Sequence, residues 1–370
     1  MNDRRVNLLL SQPLIPLYRV PFFQRLAQSS HFRLTLAAGT PLPGTAQRDV
    51  RHIPGVQIVP LKTVFFGKKP YGYFMKGLLS LVARQPYQVM ITSSNPRDFS
   101  YLLSLLYAKL KGVRTILWGH GISSHSNRYT LWVLLKLAAF ADALIFYDSL
   151  HAEQYIDMGV PRAKVFVAPN TIDVEGIFGL TRAWDADRNR ILCIGRLIPA
   201  KKATLLIRGF AMASPSLAPK TLLTIIGDGP ERPLCEALAD QLGIRDKVVF
   251  TGAIYNDADL APFFNAAWVS VCPGYAGLNV MHSLAFGVPL LVARDDPHSP
   301  EVVCVKEGYN TRFFPSNDPQ ALADQLIYCF QNPAEMARLA RGAQETVRHK
   351  FSIAGMVKAF EDAVEFVLNR

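Results

Sequence analysis

The chain is sparing with cysteine, with charge and, over its first half, with acid. Its 370 residues include five cysteines, Cys193, Cys235, Cys272, Cys304 and Cys329, all in the second half. None stands in a CxxC pair or at metal-ligand spacing, which excludes a disulfide framework or zinc ribbon and fits buried thiols in a reducing cytosol. Charged residues make up 19% and hydrophobic ones 50%, the reverse of the balance that keeps a chain disordered. Low-complexity tracts and periodic Gly or Pro are missing, which excludes collagen-like chains. Long apolar runs are missing too. The most apolar stretch, 130–147, is interrupted by Lys136 and Asp142 and falls short of the ~20 residues of a membrane span. It reads as a buried helix followed by a strand. The start MNDRRVNLLLSQPLIP has neither a long apolar core nor a small-residue cleavage site, so no secretory leader is expected.

What is present suits two domains. Residues 1–175 hold 20 Lys and Arg against 9 Asp and Glu, and residues 176–370 hold 20 of each, so the first half carries the whole net charge of +11. A basic domain joined to a neutral one points to a polyanion or an acidic bilayer for the first alone. No nucleic-acid reading motif accompanies the charge.

Short apolar runs (6–11, 32–38, 56–61, 89–92, 115–118, 143–146, 165–168) alternate with amphipathic segments such as 21–28, 99–111 and 150–158. That alternation predicts βαβ units around a parallel sheet. It resumes at 190–195, 222–227, 248–251, 269–272 and 289–293, with Gly195, Gly227, Gly252 and Gly277 following strand ends. The expected architecture is α/β: a first Rossmann-like domain over 1–175, a linker over 176–189, a second over 190–350, and a C-terminal helix within 351–370 that packs back on the first. Ligands of such domains gather at the carboxyl ends of the strands.

Gly195-Arg196-Leu197-Ile198-Pro199-Ala200-Lys201-Lys202 joins a strand to a helix and crowds three cations at the helix start. Positive charge is disfavoured there unless an anion sits between; a solvated basic turn would read the same. A second Gly turn, Cys272 to Asn279, offers Gly277 for close approach and the amides of Leu278 and Asn279 for a phosphate. His282 lies one turn into the following helix, facing either a ligand or a core. Glu301 closes Asp295-Asp296-Pro297-His298-Ser299-Pro300-Glu301 and reads as a sugar contact or an ordinary N-terminal acid. In the first half, Trp118-Gly119-His120-Gly121 ends a strand where a substrate can approach, or is a turn with a surface histidine. Tyr18 and Arg19 follow the first strand, with Arg19 either meeting a second anion or standing exposed. The segment 61–82 interleaves Lys62, Lys68, Lys69 and Lys76 with Phe65, Phe66, Tyr71, Tyr73 and Phe74. Such a surface suits an anionic membrane, or is a half-buried helix with solvated lysines. The triplets Asp185-Ala186-Asp187 and Asp257-Ala258-Asp259 read as linker and helix-start acids.

GRLxxxK, IGDGPE, TGxI and PGxxGLxxxHxxxxGVP together resemble the retaining nucleotide-sugar glycosyltransferases of family 4, as do Pro169, Asn170 and Asp173 as PN-x-x-D. The resemblance implies the GT-B fold, two Rossmann-like domains facing a central crevice. It implies donor diphosphate binding and leaving-group stabilisation by Arg196 and Lys201, with no metal or other cofactor. It also implies a turn at Gly277, Leu278 and Asn279 whose amides meet the distal phosphate, Gly195 in the donor site, main-chain base contacts at Ile254, and His120 near the donor sugar. The family's E-x7-E pair falls on Gly274 and His282, so both carboxylates are missing. A polysaccharide-assembly subgroup is similar in this respect, with a later Pro-Glu pair, here Pro300-Glu301. His282 is then expected to take a ribose or phosphate contact, and Glu301 a sugar contact. The segment around Tyr18 and Arg19 resembles the same subgroup, whose acceptors are lipid-linked saccharides. The expected protein is a transferase on the cytoplasmic face of the membrane, peripheral to it. A GT-B epimerase or an inactive assembly partner are the alternatives.

Overall fold

The computed structural model describes residues 5–41, 49–67, 71–122 and 128–370, and divides them into two compact units. The first unit comprises residues up to Ile172 together with Ile353–Arg370; the second is Asp173–Ser352.

In the first unit the chain runs β1 (Val6–Gln12), α1 (Val20–Ala27), β2 (Phe32–Ala38), β3 (Gln57–Pro60), β4 (Lys62–Phe66), β5 (Gly72–Lys76) and α2 (Leu78–Arg84). It continues through β6 (Val89–Ser93), α3 (Phe99–Leu110), β7 (Arg114–Gly119), α4 (Arg128–Phe140), β8 (Ala143–Phe146), α5 (Ser149–Asp157) and β9 (Val165–Val167). Among the described residues seven strands form a parallel sheet in the order β3-β2-β1-β6-β7-β8-β9. Leu8, Leu9, Leu10, Ile91 and Ile116 are fully buried within it, as near-continuous apolar strands with both faces covered must be.

The second unit runs α6 (Val174–Phe178), β10 (Arg190–Ile194), α7 (Ala203–Ala213), β11 (Leu222–Ile226), α8 (Arg232–Gln241), β12 (Val248–Gly252) and α9 (Asp257–Asn265). Then follow β13 (Ala267–Cys272), α10 (Asn279–Ala285), β14 (Leu290–Ala293), β15 (Thr311–Phe314), α11 (Pro319–Gln331) and α12 (Pro333–Lys350). Its sheet is parallel in the order β12-β11-β10-β13-β14-β15. In each sheet the strand order reverses once, between β1 and β6 and between β10 and β13. Loops leaving those strands diverge and open a space for a ligand.

The last helix, α13 (Ile353–Leu368), packs on α1, β7, β8 and β9 of the first unit. Its Phe360 lies edge-on to Trp118, with ring centroids 4.9 Å apart, and 5.0 Å from Phe22.

Three expectations change. Residues 176–189 belong to the second unit: Asp173 caps α6, and Arg188 is buried, donating to the Phe264 and Ala267 carbonyls. The 61–82 segment is an antiparallel hairpin of β4 and β5 followed by α2, with Lys68 and Lys69 outside the described residues. Third, α4 is not a buried helix. Only Leu134 and Ala138 of its thirteen residues are buried. The five cysteines are all buried and unpaired.

Candidate active site

The loops after β10 and β13 carry the cationic residues and the glycine turn. Gly195 adopts φ +152° and Gly227 φ +150°, and a Cβ on Gly227 would fall 1.8 Å from the Gly195 carbonyl oxygen. The loops after β10 and β11 therefore pack backbone against backbone, which only glycine permits. The Leu197 amide donates to the Asp228 carbonyl (2.9 Å) and the Glu231 amide to the Leu197 carbonyl (3.0 Å). The Gly-Asp-Gly turn thus braces the Gly-Arg-Leu turn and leaves Arg196 turned outward, exposed and without an ion-pair partner among the described residues.

Lys201 crosses to the other loop, its Nζ donating to the Tyr275 carbonyl at 2.8 Å. Burial pushes its pKa below the ordinary lysine value, and the neighbouring Arg196 cation adds to the shift. Two of its three ammonium protons have no bond assigned by that contact. Lys202, the third cation of the group, behaves differently. It sits at φ +51° ahead of α7 and is ion-paired with Asp296. A 3-10 turn, Pro199–Lys201, intervenes before the helix: Arg196 precedes it, Lys201 ends it and Lys202 links it to α7.

The second loop is held from several sides. A Cβ on Gly274 would meet the Ala200 carbonyl oxygen at 2.5 Å, so that glycine is required by packing. At Gly277 a Cβ would meet nothing closer than Ser299 Oγ at 3.4 Å, and no internal clash accounts for glycine there. The Gly277 amide donates to Asn279 Oδ1 (2.8 Å), and Asn279 Nδ2 reaches Cys272 Sγ at 3.1 Å. Asn279 therefore fastens the turn with its side chain, a role the sequence does not announce. His298 does likewise: its Nδ1 accepts from the Ala276 amide and its Nε2 bonds the Ala293 carbonyl at 2.7 Å. Burial lowers its pKa, and the two bonds require the neutral ring.

Of the residues expected beside that turn, His282 bonds the Leu278 carbonyl and stands 3.4 Å from Asp257 Oδ1 in the first turn of α9. Asp257, read from sequence as a helix-start acid, is also a partner of His282. Glu301 is 4% exposed and accepts from Ser299 Oγ, whose amide in turn donates to the Ala276 carbonyl. It is an acid in the first turn of the 3-10 segment Pro300–Cys304, and it is buried there. Ile254 is half-buried just beyond β12, next to exposed Tyr255.

The first unit opens at its own reversal point. An open pocket of about 660 Å³ is lined by Gln12 at the end of β1, Ser93 to Arg97 from the end of β6, Trp118 to Gly121 from the end of β7, and Tyr147 just after β8. His120 is exposed at this pocket, 4.4 Å from the Tyr147 ring. Beneath lies Arg19, 5% exposed, which contradicts the exposed alternative. Its Nη2 donates to Tyr147 Oη (2.9 Å), its Nε to Tyr18 Oη (3.2 Å), and its guanidinium lies 4.4 Å from the Trp118 ring centroid. Its Nη1 is buried with no hydrogen-bond partner. Asn95 and Arg97 at this pocket went unremarked in the sequence, although Asn-Pro-Arg after a strand end is the signal that marks them.

Residues 23–175 match the family profile described as Glycosyltransferase Family 4, and residues 181–346 the one described as Glycosyl transferases group 1. The chain belongs to glycosyltransferase family 4. It is 28% identical over 202 residues to the lipopolysaccharide core biosynthesis glycosyltransferase LpsD of Rhizobium meliloti, covering 51% of this chain and 57% of LpsD. It is 35% identical over 131 residues to a GDP-mannose-dependent phosphatidylinositol monomannoside mannosyltransferase of Mycolicibacterium smegmatis, covering 32% of each. The chain thus matches about half the length, or less, of these relatives. The structure of Anabaena HepE in complex with UDP superimposes with a TM-score of 0.73 at 16% identity, over 97% of this chain and 99% of HepE. At that identity the likeness establishes the fold, which is GT-B.

Proposed function

We propose that this family 4 protein is a retaining glycosyltransferase that moves a sugar from a nucleoside-diphosphate sugar to a lipid-linked saccharide in bacterial cell-surface polysaccharide assembly. The observation that carries the reading is the pairing of an unpartnered Arg196 with a desolvated Lys201 at the reversal of the second sheet. Both cations are positioned before any ligand arrives, so they stabilise charge on a departing diphosphate without reorganising. In this reading they do the work a divalent cation would do elsewhere, and no metal is needed. Gly277, Leu278 and Asn279 meet the distal phosphate, Ile254 the base, and His282 with Asp257 the ribose. His120 faces the donor sugar, and the pocket over Trp118 and Tyr147 takes the acceptor. The likeness to lipopolysaccharide-core and phosphatidylinositol-mannoside enzymes supports a saccharide acceptor carried on lipid; the proposed place of action is the cytoplasmic face of the membrane.

Calorimetric titration with UDP, GDP, dTDP and ADP, with and without EDTA, tests the donor site. One nucleotide is expected to bind selectively at micromolar concentration, with EDTA making no difference. The Arg196→Ala, Lys201→Ala protein is expected to lose that binding. Absence of binding by the folded wild-type protein would overturn the reading.

A further inference from the structure

The first unit carries an exposed surface that its own fold leaves uncovered. On α3, Leu103, Leu106 and Leu110 fall at helical spacing, with Leu110 77% exposed. On α4, Tyr129, Trp132 and Phe140 do the same with Lys136 between them, and Trp132 is 56% exposed. The two helices share one face of the sheet, since Tyr101 and Leu105 pack in one cluster with Leu134 and Ala138. Their outer sides are apolar where a surface helix normally presents polar groups.

The charge on these two helices has one sign, Lys109 on α3 and Arg128 and Lys136 on α4, while the neighbouring α5 carries Glu153, paired with Arg162, and Asp157. Between Asp49 and Asp142 the only acidic residue is Asp98, which is fully buried as the cap of α3. The same interval holds twelve Lys and Arg. Lys109 is paired with Asp142, whereas Arg128, Lys111 and Lys136 have no acidic partner among the described residues. Lys136 lies 5.8 Å over the Trp132 ring and Lys111 5.6 Å over Tyr107.

We propose that the α3–α4 face docks on an anionic phospholipid bilayer, with Leu106, Leu110, Tyr129, Trp132 and Phe140 entering the headgroup layer and Arg128, Lys111 and Lys136 meeting lipid phosphates. This deepens the reading of a membrane-carried acceptor given above and rests on it. It also moves the contact from the β4–β5 hairpin, whose Phe65, Phe66, Tyr73 and Phe74 are half-buried and whose Phe66 packs on Phe99. Charge selects the occupant. Pairing of two copies through a two-fold axis would bring these cations against themselves, whereas an anionic bilayer supplies the opposite charge and an apolar layer behind it.

Co-sedimentation with vesicles tests this, using phosphatidylcholine alone and phosphatidylcholine mixed with phosphatidylglycerol. The full chain is expected to bind the mixed vesicles, to be released by salt, and to ignore the neutral ones. Trp132→Ala with Lys136→Glu is expected to reduce partitioning at least tenfold; Lys62→Glu with Lys76→Glu in the hairpin is expected to reduce it far less. Nucleotide titration of the same variants shows that they are folded and that the donor site is intact. Unchanged partitioning of the α4 variant, or no wild-type binding to anionic vesicles, overturns the surface while leaving the donor reading standing. So does a dimer, seen by light scattering, that the α4 variant dissociates. Vesicle binding without nucleotide binding leaves the surface standing and removes the transferase.

Discussion

The two sheets reverse their strand order in the same way but furnish the opening with different materials. In the second unit the lining is largely backbone: glycines that let loops touch, amides fastened by Asn279 and His298, and two cations held at the rim. In the first unit it is largely side chain: an open pocket walled by Trp118, Tyr147 and His120, with its one deep cation, Arg19, sunk beneath the aromatic layer. A backbone-lined opening recognises a constant group such as a diphosphate, because its donors are fixed by chain geometry. A side-chain-lined opening can be altered residue by residue without disturbing the sheet. In the proposed reading the difference suits a donor site on the second unit and an acceptor site on the first.

That contrast can be broken most strongly at the cations. Arg196→Ala is expected to lower turnover by about 100- to 1000-fold, the usual cost of removing one preorganised donor to developing charge. Its melting temperature should barely move, since Arg196 has no ion-pair partner to lose among the described residues. Equal loss of stability would show that the residue serves the fold.

Two glycines sharpen the point. Gly227→Ala places a Cβ 1.8 Å from the Gly195 carbonyl oxygen at a left-handed φ, and is expected to destabilise the second unit by about 3 kcal/mol. Gly277→Ala meets only ordinary contacts within the protein, so it should leave denaturant midpoints almost unchanged while weakening nucleotide binding. If both behaved alike in chemical denaturation, the distinction between packing glycines and ligand-facing ones would fall.

A smaller effect is expected in the first unit. Arg19→Met keeps bulk but leaves the Tyr147 hydroxyl without its donor, at a cost of about 1–3 kcal/mol. Nucleotide affinity should stay the same while the acceptor KM rises, because Tyr147 and Trp118 lose the cation that orients them. Steady-state kinetics with both substrates varied separates the two parameters.

The smallest effect is one of sign. His151 bonds Asp148 at 2.7 Å, and that hydrogen bond raises its pKa above the ordinary histidine value. The unfolded chain then sheds its proton first, so this contribution is complete below pH ~6.5 and fades as pH rises through the folded value. His298 is lowered by burial. Its contribution is complete above pH ~6.5 and is lost as pH falls through the folded value. Mild acid should therefore loosen the loop around Ala276 while favouring the turn at Asp148. Hydrogen exchange at the two sites across pH 5.5–8, roughly the histidine window, should show opposite trends, and parallel trends would refute the assignment.

The parts legible in the sequence were those whose residues are neighbours in the chain. Strand and helix alternation, the reversal-point loops and the Arg196–Lys201 spacing are all local patterns, and the structure puts them where a doubly wound sheet requires. Arg19 was not legible. Its choice between exposure and burial depends on Tyr147, 128 positions away, and on Trp118. The α4 helix misled because apolar composition states what a helix could bury, not whether a neighbour covers it. The 61–82 segment misled for another reason, since lysines interleaved with aromatics at short spacing suit both a hairpin and a helix. Glu301 reads from sequence as a sugar contact or an N-terminal acid, but its burial was not legible, because nothing local shows that Ser299 and the Ala276 loop pack beside it.

The return of α13 to the first unit has a consequence for synthesis. On the ribosome the first unit's strands emerge early, yet Met356, Phe360, Val364 and Val367 of its core come at least 180 residues after Ile172. The second unit is one contiguous segment and needs nothing made later. Domains commonly fold in the order they are made; here the half made second can be finished first, while the half made first waits with Phe22 and Trp118 uncovered. The apolar surface that α13 covers thus stays open until the last helix has been made.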